Sequence, residues 1–352
     1  MKIKHGARLT ALIAALAVLT VQISAQTLSV TKSAVLPCGK QPKQVLFTPD
    51  GKAVVLPLLD DTGFEVITLS AAGEPAQTET PASRSVVRPP HAERKGFAEG
   101  LFVPEKGAFF ISQMTTGYVY EYAYPGFTLR REIPVGGEWC KFIAWDGTRQ
   151  RLAVSNWISN TVSIIDYESG KTVKTVRTAA APRGLAFTEN GNTLIVTCFD
   201  GGVVQKIHVE SGTETARIGV PKSAMRHIAV TADETRAYVS DMYHAAVYEI
   251  DLAAFTVTDT YRVFNNPNTI CLYKDRYLFV SSRGPNDPVD YTRRSPVNGK
   301  ITVIDTAAKT VLAAIDGGNQ PTGLSVAPDG SSFCFSNFQD ANVELYRIRF
   351  AE

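Results

Sequence analysis

Pro182-Arg183-Gly184-Leu185-Ala186-Phe187-Thr188-Glu189-Asn190-Gly191-Asn192-Thr193-Leu194-Ile195-Val196-Thr197 is the stretch that decides the fold. Apolar β-formers flank Glu189-Asn190-Gly191, and Asn-Gly tolerates positive φ, so the stretch reads as a short buried strand, a tight turn and a second strand. The pattern returns in Pro321-Thr322-Gly323-Leu324-Ser325-Val326-Ala327-Pro328-Asp329-Gly330, ahead of Phe333-Cys334-Phe335-Ser336. It returns again in Pro42-Lys43-Gln44-Val45-Leu46-Phe47-Thr48-Pro49-Asp50-Gly51, ahead of Ala53-Val54-Val55-Leu56. A single such hairpin cannot bury both of its faces, so the recurrence marks a repeat protein whose units stack.

Aligned at the residue expected to open each first strand, the repeats begin at Gln44, Gly100, Phe142, Gly184, His227, Thr269 and Gly323, with steps of 56, 42, 42, 43, 42 and 54 residues. A third strand follows in every repeat, as in Val162-Ser163-Ile164-Ile165-Asp166 and Val247-Tyr248-Glu249-Ile250-Asp251. A period near 42 with strands and no amphipathic helix predicts an all-β, seven-bladed β-propeller of four-stranded antiparallel blades. The last repeat runs out of chain after Val343-Glu344-Leu345-Tyr346. Residues 27–36, where Leu28, Val30, Ala34 and Leu36 alternate on one side, are expected to supply its missing outer strand and tie the ring shut.

Residues 1–25 read differently. Lys2, Lys4 and Arg8 precede an apolar run from Leu9 to Val21, and Ser24-Ala25 offers a small-residue cleavage site, the three parts of a secretory signal peptide. The expected product is an exported, periplasmic or extracellular propeller over residues 26–352, a monomer with no transmembrane segment. The leader holds three of the 36 bases and none of the 34 acids, which leaves 33 against 34. Total charge therefore supplies no steering field for nucleic acid, and a basic site has to come from local clustering. Five cysteines, Cys38, Cys140, Cys198, Cys271 and Cys334, show no CxxC pair and no metal-ligand spacing. They are expected as buried thiols, with Cys38 and Cys140 the first pair to test for a bridge.

Two insertions break the period. Residues 81–96 include Arg84, Arg88, Pro89-Pro90, His91, Glu93, Arg94 and Lys95; residues 283–299 interrupt the sixth blade between its second and third strands. Links between blades and second-to-third strand loops emerge on the same face of a propeller, so both insertions are expected on one rim, the working face.

The repeats resemble the YVTN family of β-propeller proteins, whose unit runs from Pro-x-Gly through Asp/Asn-Gly to a strand ending in Val-(Ser/Ala/Thr)-(Asn/Asp), then Val-x-Val-Ile-Asp. Leu152-Ala153-Val154-Ser155-Asn156 with Val162-Ser163-Ile164-Ile165-Asp166 is a close match, as is Tyr238-Val239-Ser240-Asp241. In size, leader and blade number the chain is similar to exported bacterial YncE-like proteins. The resemblance implies a binding scaffold; it does not fix a ligand.

The residue before each first-strand opening is expected at the mouth of the central channel: Lys43, Glu99, Lys141, Arg183, Arg226, Asn268 and Thr322. Four cations against one acid suit an anionic small molecule, a glycan or an acidic protein partner. The competing expectation is that each base pairs with a loop acid such as Asp200, Asp241 or Asp340. Around the mouth, Asn156, Trp157, Phe199, Asp241, Tyr243, Arg283, Tyr291 and Phe338 are candidate contacts, with Trp139 on a link. No cofactor is expected. Two alternatives stand beside a non-enzymatic binding scaffold. One is a metal-dependent lactonase- or lyase-like propeller enzyme using Glu99, His227, Asp241 and His244, with His91 nearby. The other is single-stranded nucleic-acid binding, not favoured by the charge balance.

Overall fold

The computed structural model describes residues 28–69, 83–290 and 292–350, so the predicted leader lies outside the described residues. It forms seven four-stranded antiparallel sheets, six of them consecutive meanders of the type Pro182–Thr188, Thr193–Cys198, Val203–His208 and Thr213–Gly219. Helix among the described residues is limited to the short turns Ala92–Arg94 and Pro104–Lys106. Inner strands start two residues earlier than the period suggests, at Pro182, Pro267 and Pro321, while that of the first blade is only Leu46–Phe47.

Burial explains the order of strands. Second strands such as Thr193–Cys198 are buried at every position, because both faces of a blade pack on neighbours. Outer strands such as Thr172–Arg177 alternate between exposed and half-buried positions, with only Val176 buried, as one-sided strands do. The core is a series of inter-blade seams. Val162 and Ile164 of the third blade meet Leu194 and Val196 of the fourth, and Tyr238 and Val247 of the fifth meet Leu278 and Val280 of the sixth.

The ring closes as expected. Leu28–Pro37 pairs antiparallel with Asn342–Phe350, the outermost strand of a sheet otherwise made by the C-terminus. One detail differs from the sequence reading. A bulge between Lys32 and Ala34 flips the side-chain parity. Leu28 and Val30 therefore pack toward Tyr277, Phe279 and Tyr346, whereas Ala34 and Leu36 join Leu56, Ile67 and Val343 in the next seam. The bulge lets one edge strand serve two seams.

The first insertion is corrected. Residues 81–96 contain the outer strand of the first blade, Ser83–Val87, so much of the added length falls at residues 69–82, between Phe64–Thr68 and that strand. Of residues 81–96, the link at 88–96 is the part that joins two blades, running from Ser83–Val87 to Phe97–Val103. Residues 70–82 lie outside the described residues.

The second insertion lies between Tyr277–Ser282 and Lys300–Asp305. It is clamped onto the seventh blade: the Ser295 amide donates to Asn319 Oδ1 at 2.9 Å, Gln320 Nε2 donates to the Arg293 carbonyl at 2.9 Å, and Arg294 pairs with Asp340 at 2.7 Å. All five cysteines are free thiols; Cys38 and Cys140 are buried in different seams and are not bridged.

Candidate functional site

Six inner strands carry a bulge at the same place, as between Pro182 and Leu185 or Met225 and Ile228. There two residues of the inner strand oppose one of the second strand, and the opposing residue is always Ser or Thr. Its hydroxyl meets an inner-strand amide of its own blade and donates to a carbonyl of the next. Thr197 Oγ1 accepts from the Gly184 amide at 2.8 Å and donates to the Arg226 carbonyl at 3.0 Å. Ser155 serves the Phe142 amide at 3.0 Å and the Arg183 carbonyl at 3.0 Å. Ser112, Ser240, Ser281 and Ser336 repeat this, reaching the carbonyls of Lys141, Asn268, Thr322 and Pro42. The first blade has Pro57 at this position, which carries no hydroxyl, and Gln44 Oε1 accepts from the Gly100 amide at 2.6 Å instead. The seven blades are thus stitched into a circle around the channel. Such close approach explains Gly323, where a Cβ would come within 2.4 Å of the Val45 backbone nitrogen.

Each bulge presents the residue beside the stitch to the channel mouth. Arg183 of the fourth blade reaches across to a carboxylate oxygen of Glu99 in the second, both buried. Arg226 Nη2 donates to Asn268 Oδ1 at 2.7 Å. Arg283, at the start of the second insertion and 6% exposed, donates to Gln320. Lys43 and Lys141 are half-exposed and rest on aromatic faces. Lys141 Nζ lies 3.7 Å from the Trp157 ring centre and 5.4 Å from that of Trp139; Lys43 Nζ lies 5.3 Å from the Phe338 ring centre, which Arg283 also approaches at 5.1 Å.

The charge of this mouth is lopsided. Burial first, then the cations Arg226, Arg283, Arg183 and Lys141, hold the Lys43 amine well below its ordinary range. Burial, then Arg183 and Arg226, do the same to Lys141, with Glu99 and Asp200 opposing. Arg226 is likewise lowered by burial and by Arg183. Burial alone would raise Glu99, yet Arg183, Arg226 and His227 beside it hold its carboxyl below the usual range. His227 stacks edge-on against Phe142 at 5.1 Å, and burial lowers it to about 3. Buried donors at the mouth have no acceptor among the described residues: Arg183 Nε and Nη1, Arg226 Nε and Asn268 Nδ2. Unsatisfied groups of this kind are rare in a finished interior.

The remaining candidates fall elsewhere. Asp241 fastens a link, accepting from the amides of Ala224 at 2.8 Å and Tyr243 at 3.0 Å, from Tyr248 Oη at 3.0 Å and from His244 at 2.6 Å. Its oxygens are occupied, so Glu99 and His227 in the mouth do not join Asp241 and His244 in a shared set. Among the described residues no group of three or more His, Cys, Asp or Glu side chains converges to hold a metal ion. Asn156 is fully buried and donates to Thr161 and Ser163. Tyr243 is 65% exposed on the rim, and Phe199 packs on Trp157 at 5.2 Å. His91 stacks on Tyr118, and Asp340 holds Arg294. Tyr291 lies outside the described residues. The acids named as rival partners thus leave the mouth cations alone, apart from the field of Asp200 at Lys141.

The sequence reading missed the cross-channel pair of Glu99 with Arg183 and the part of Gln320, for which a one-dimensional repeat carries no signal. It also missed the stitching hydroxyls, although their signal is present as the recurrent Ser/Thr one residue before six of the second strands end. Away from the mouth a cavity of about 890 Å³ lies by the closure seam, lined by Asp50, Lys52, Asp329, Arg347 and Arg349 among others. Its lining holds two acids against three bases, a closer balance than the single Glu99 gives the mouth. No helix among the described residues is long and apolar enough to cross a membrane.

No family model matches the chain. The fold is similar to that of a chain of Kuenenia stuttgartiensis hydrazine synthase, with a TM-score of 0.70 over 89% of this chain and 96% of that one. At 17% identity that likeness is one of fold alone. Antigen Lp49 of Leptospira interrogans, serogroup Icterohaemorrhagiae serovar copenhageni, is 32% identical over 318 residues, which span 88% of this chain and 68% of the antigen. Identity of that extent around a complete seven-bladed ring places the chain in the family of antigen Lp49.

Proposed function

We propose that the protein is an exported binding propeller of the YVTN-repeat, YncE-like type that captures an anionic ligand at the mouth of its central channel. One observation carries the reading: Lys43, Lys141, Arg183, Arg226 and Arg283 converge with Glu99 as the carboxylate among them, and buried nitrogens of Arg183 and Arg226 lack acceptors. Leaving such donors dry costs about 1–3 kcal/mol each, which a bound oxyanion would recover. The aromatic faces of Trp157 and Phe338 support the lysines without neutralising them. Export is supported by the basic, apolar and small-residue sections of residues 1–25 and by the naming of a relative as an antigen.

Thermal unfolding in inorganic phosphate, sulfate and citrate tests the reading, with a single-stranded oligonucleotide as comparison. The expected result is stabilisation by millimolar small anions that Arg226→Gln reduces at least tenfold in apparent affinity. An unchanged melting curve with all three anions overturns it, and stabilisation by the oligonucleotide alone would move the reading to nucleic acid.

A further inference from the structure

We infer, resting on the reading above, that the mouth selects compact anions by charge number, favouring two or more negative charges over one, and that Glu99 sets this selectivity. The ligand class is the small polyvalent oxyanion, a phosphate ester or a di- or tricarboxylate. Glu99 sits where a monoanion would do most good. Its carboxylate already occupies one edge of Arg183, from across the channel, and both groups are buried. A single external carboxylate entering beside it meets a fixed negative charge and gains only what remains of the cations.

A ligand with several charges reaches past that pair. Arg226 presents an unpartnered buried Nε, Asn268 an unpartnered Nδ2, and Lys43, Lys141 and Arg283 surround them from three other blades or loops. Each further charge meets a further cation within one enclosed site, where effective dielectric is far below that of water. The titratable groups facing this space are Lys43, Glu99, Lys141, Arg183, Arg226, His227 and Arg283, with Asp200 acting on Lys141. Burial and mutual repulsion drive the two lysines toward their neutral forms, so a polyvalent ligand also recharges them and takes up protons from solution.

Calorimetric titration at pH 7.5 and constant ionic strength, with acetate, sulfate and citrate as probes, reads the selectivity directly. The expected affinity rises about tenfold or more with each added charge. In Glu99→Gln the Arg183 edge is released, acetate binding strengthens, and the citrate-to-acetate ratio narrows by about tenfold. A ratio near unity in the native protein, or one unaltered in a folded Glu99→Gln, overturns the inference while leaving anion capture standing. No binding of any probe to either protein overturns anion capture itself. If Glu99→Gln fails to fold, titration of the native protein in buffers of different ionisation enthalpy decides. Proton uptake must grow from acetate to citrate, and an uptake independent of anion charge overturns the proposal.

Discussion

Two rings of opposite character surround the channel, one of hydroxyls on the second strands and one of charges on the inner strands and at Arg283. The hydroxyls of Ser112, Ser155, Thr197, Ser240, Ser281 and Ser336 meet amides of their own blades and carbonyls of the next, and Gln44 bridges the first blade to the second, so that ring is closed and satisfied. Beside it Lys43, Lys141, Arg183, Arg226 and Arg283 crowd together with one carboxylate and leave buried donors open. The difference teaches which ring the fold needs. Hydrogen bonds that complete one another hold the disc; charges that repel across a narrow mouth work against it, and their presence calls for something the chain does not itself supply.

The pair that belongs to both rings gives the largest expected effect. Arg183→Met leaves Glu99 buried beside fewer charges and should lower unfolding free energy by about 3–5 kcal/mol, measured in denaturant. The double change with Glu99→Gln should restore much of that loss. A single substitution costing under about 1 kcal/mol would break the comparison, because Arg183 would then belong wholly to the ligand.

Acid comes next. An unfolded histidine ionises near 6.5 and His227 in the fold only at about 3, so between these values the unfolded chain binds more protons. The stability is fully present above about pH 6.5 and is lost as pH falls toward 3. Glu99, held below its ordinary 4.5, adds a loss of the same sign at the acid end. The combined loss should be on the order of 5 kcal/mol, and His227→Phe should flatten the profile between pH 6 and 4. A profile that His227→Phe leaves unaltered would remove the histidine from the account.

The satisfied ring is tested by Ser155→Ala, which strands the Phe142 amide and the Arg183 carbonyl. The expected cost is about 1–3 kcal/mol with anion affinity changed less than about threefold. A large affinity loss at small stability cost would show that the stitches position the mouth more than they hold the ring.

Blade number and the third strands were legible because each rests on a local pattern repeated around the ring, such as Val162 to Asp166 or Val247 to Asp251, and closure because the last repeat lacked an outer strand that residues 27–36 could supply. The convergence of Lys43, Lys141, Arg183 and Arg226 was legible for the same reason, since the register of the repeat fixes which position lines a channel. What one dimension could not give was partner choice. Asp241 and Asn156 share the rim address of Trp157, yet Asp241 spends its oxygens on a link and Asn156 bonds within its own blade. The placement of residues 81–96 failed because the outer strand Ser83–Val87 pairs with Phe64–Thr68 through long-range register, which the alternation of Arg84-Ser85-Val86 does not announce. The parity flip in Leu28–Pro37 was hidden too, since a bulge of one residue leaves composition unaltered.

The smallest effect is the sharpest in sign. Lys43→Met keeps the stem against Phe338 and removes an amine that burial and four neighbouring cations hold well below 10.5. At neutral pH the unfolded chain binds that proton more readily than the fold does, so removing the group should stabilise the protein. Because Lys43 is half-exposed, screening limits the gain to about 0.5–1 kcal/mol. The gain should shrink as pH rises toward 10.5, where the unfolded lysine also loses its proton. Anion affinity should fall several-fold in the same variant, so stability and binding move in opposite directions. A Lys43→Met protein that is less stable than the native one would mean that the contact with Phe338 outweighs the repulsion, and that this cation belongs with the ring that holds the disc.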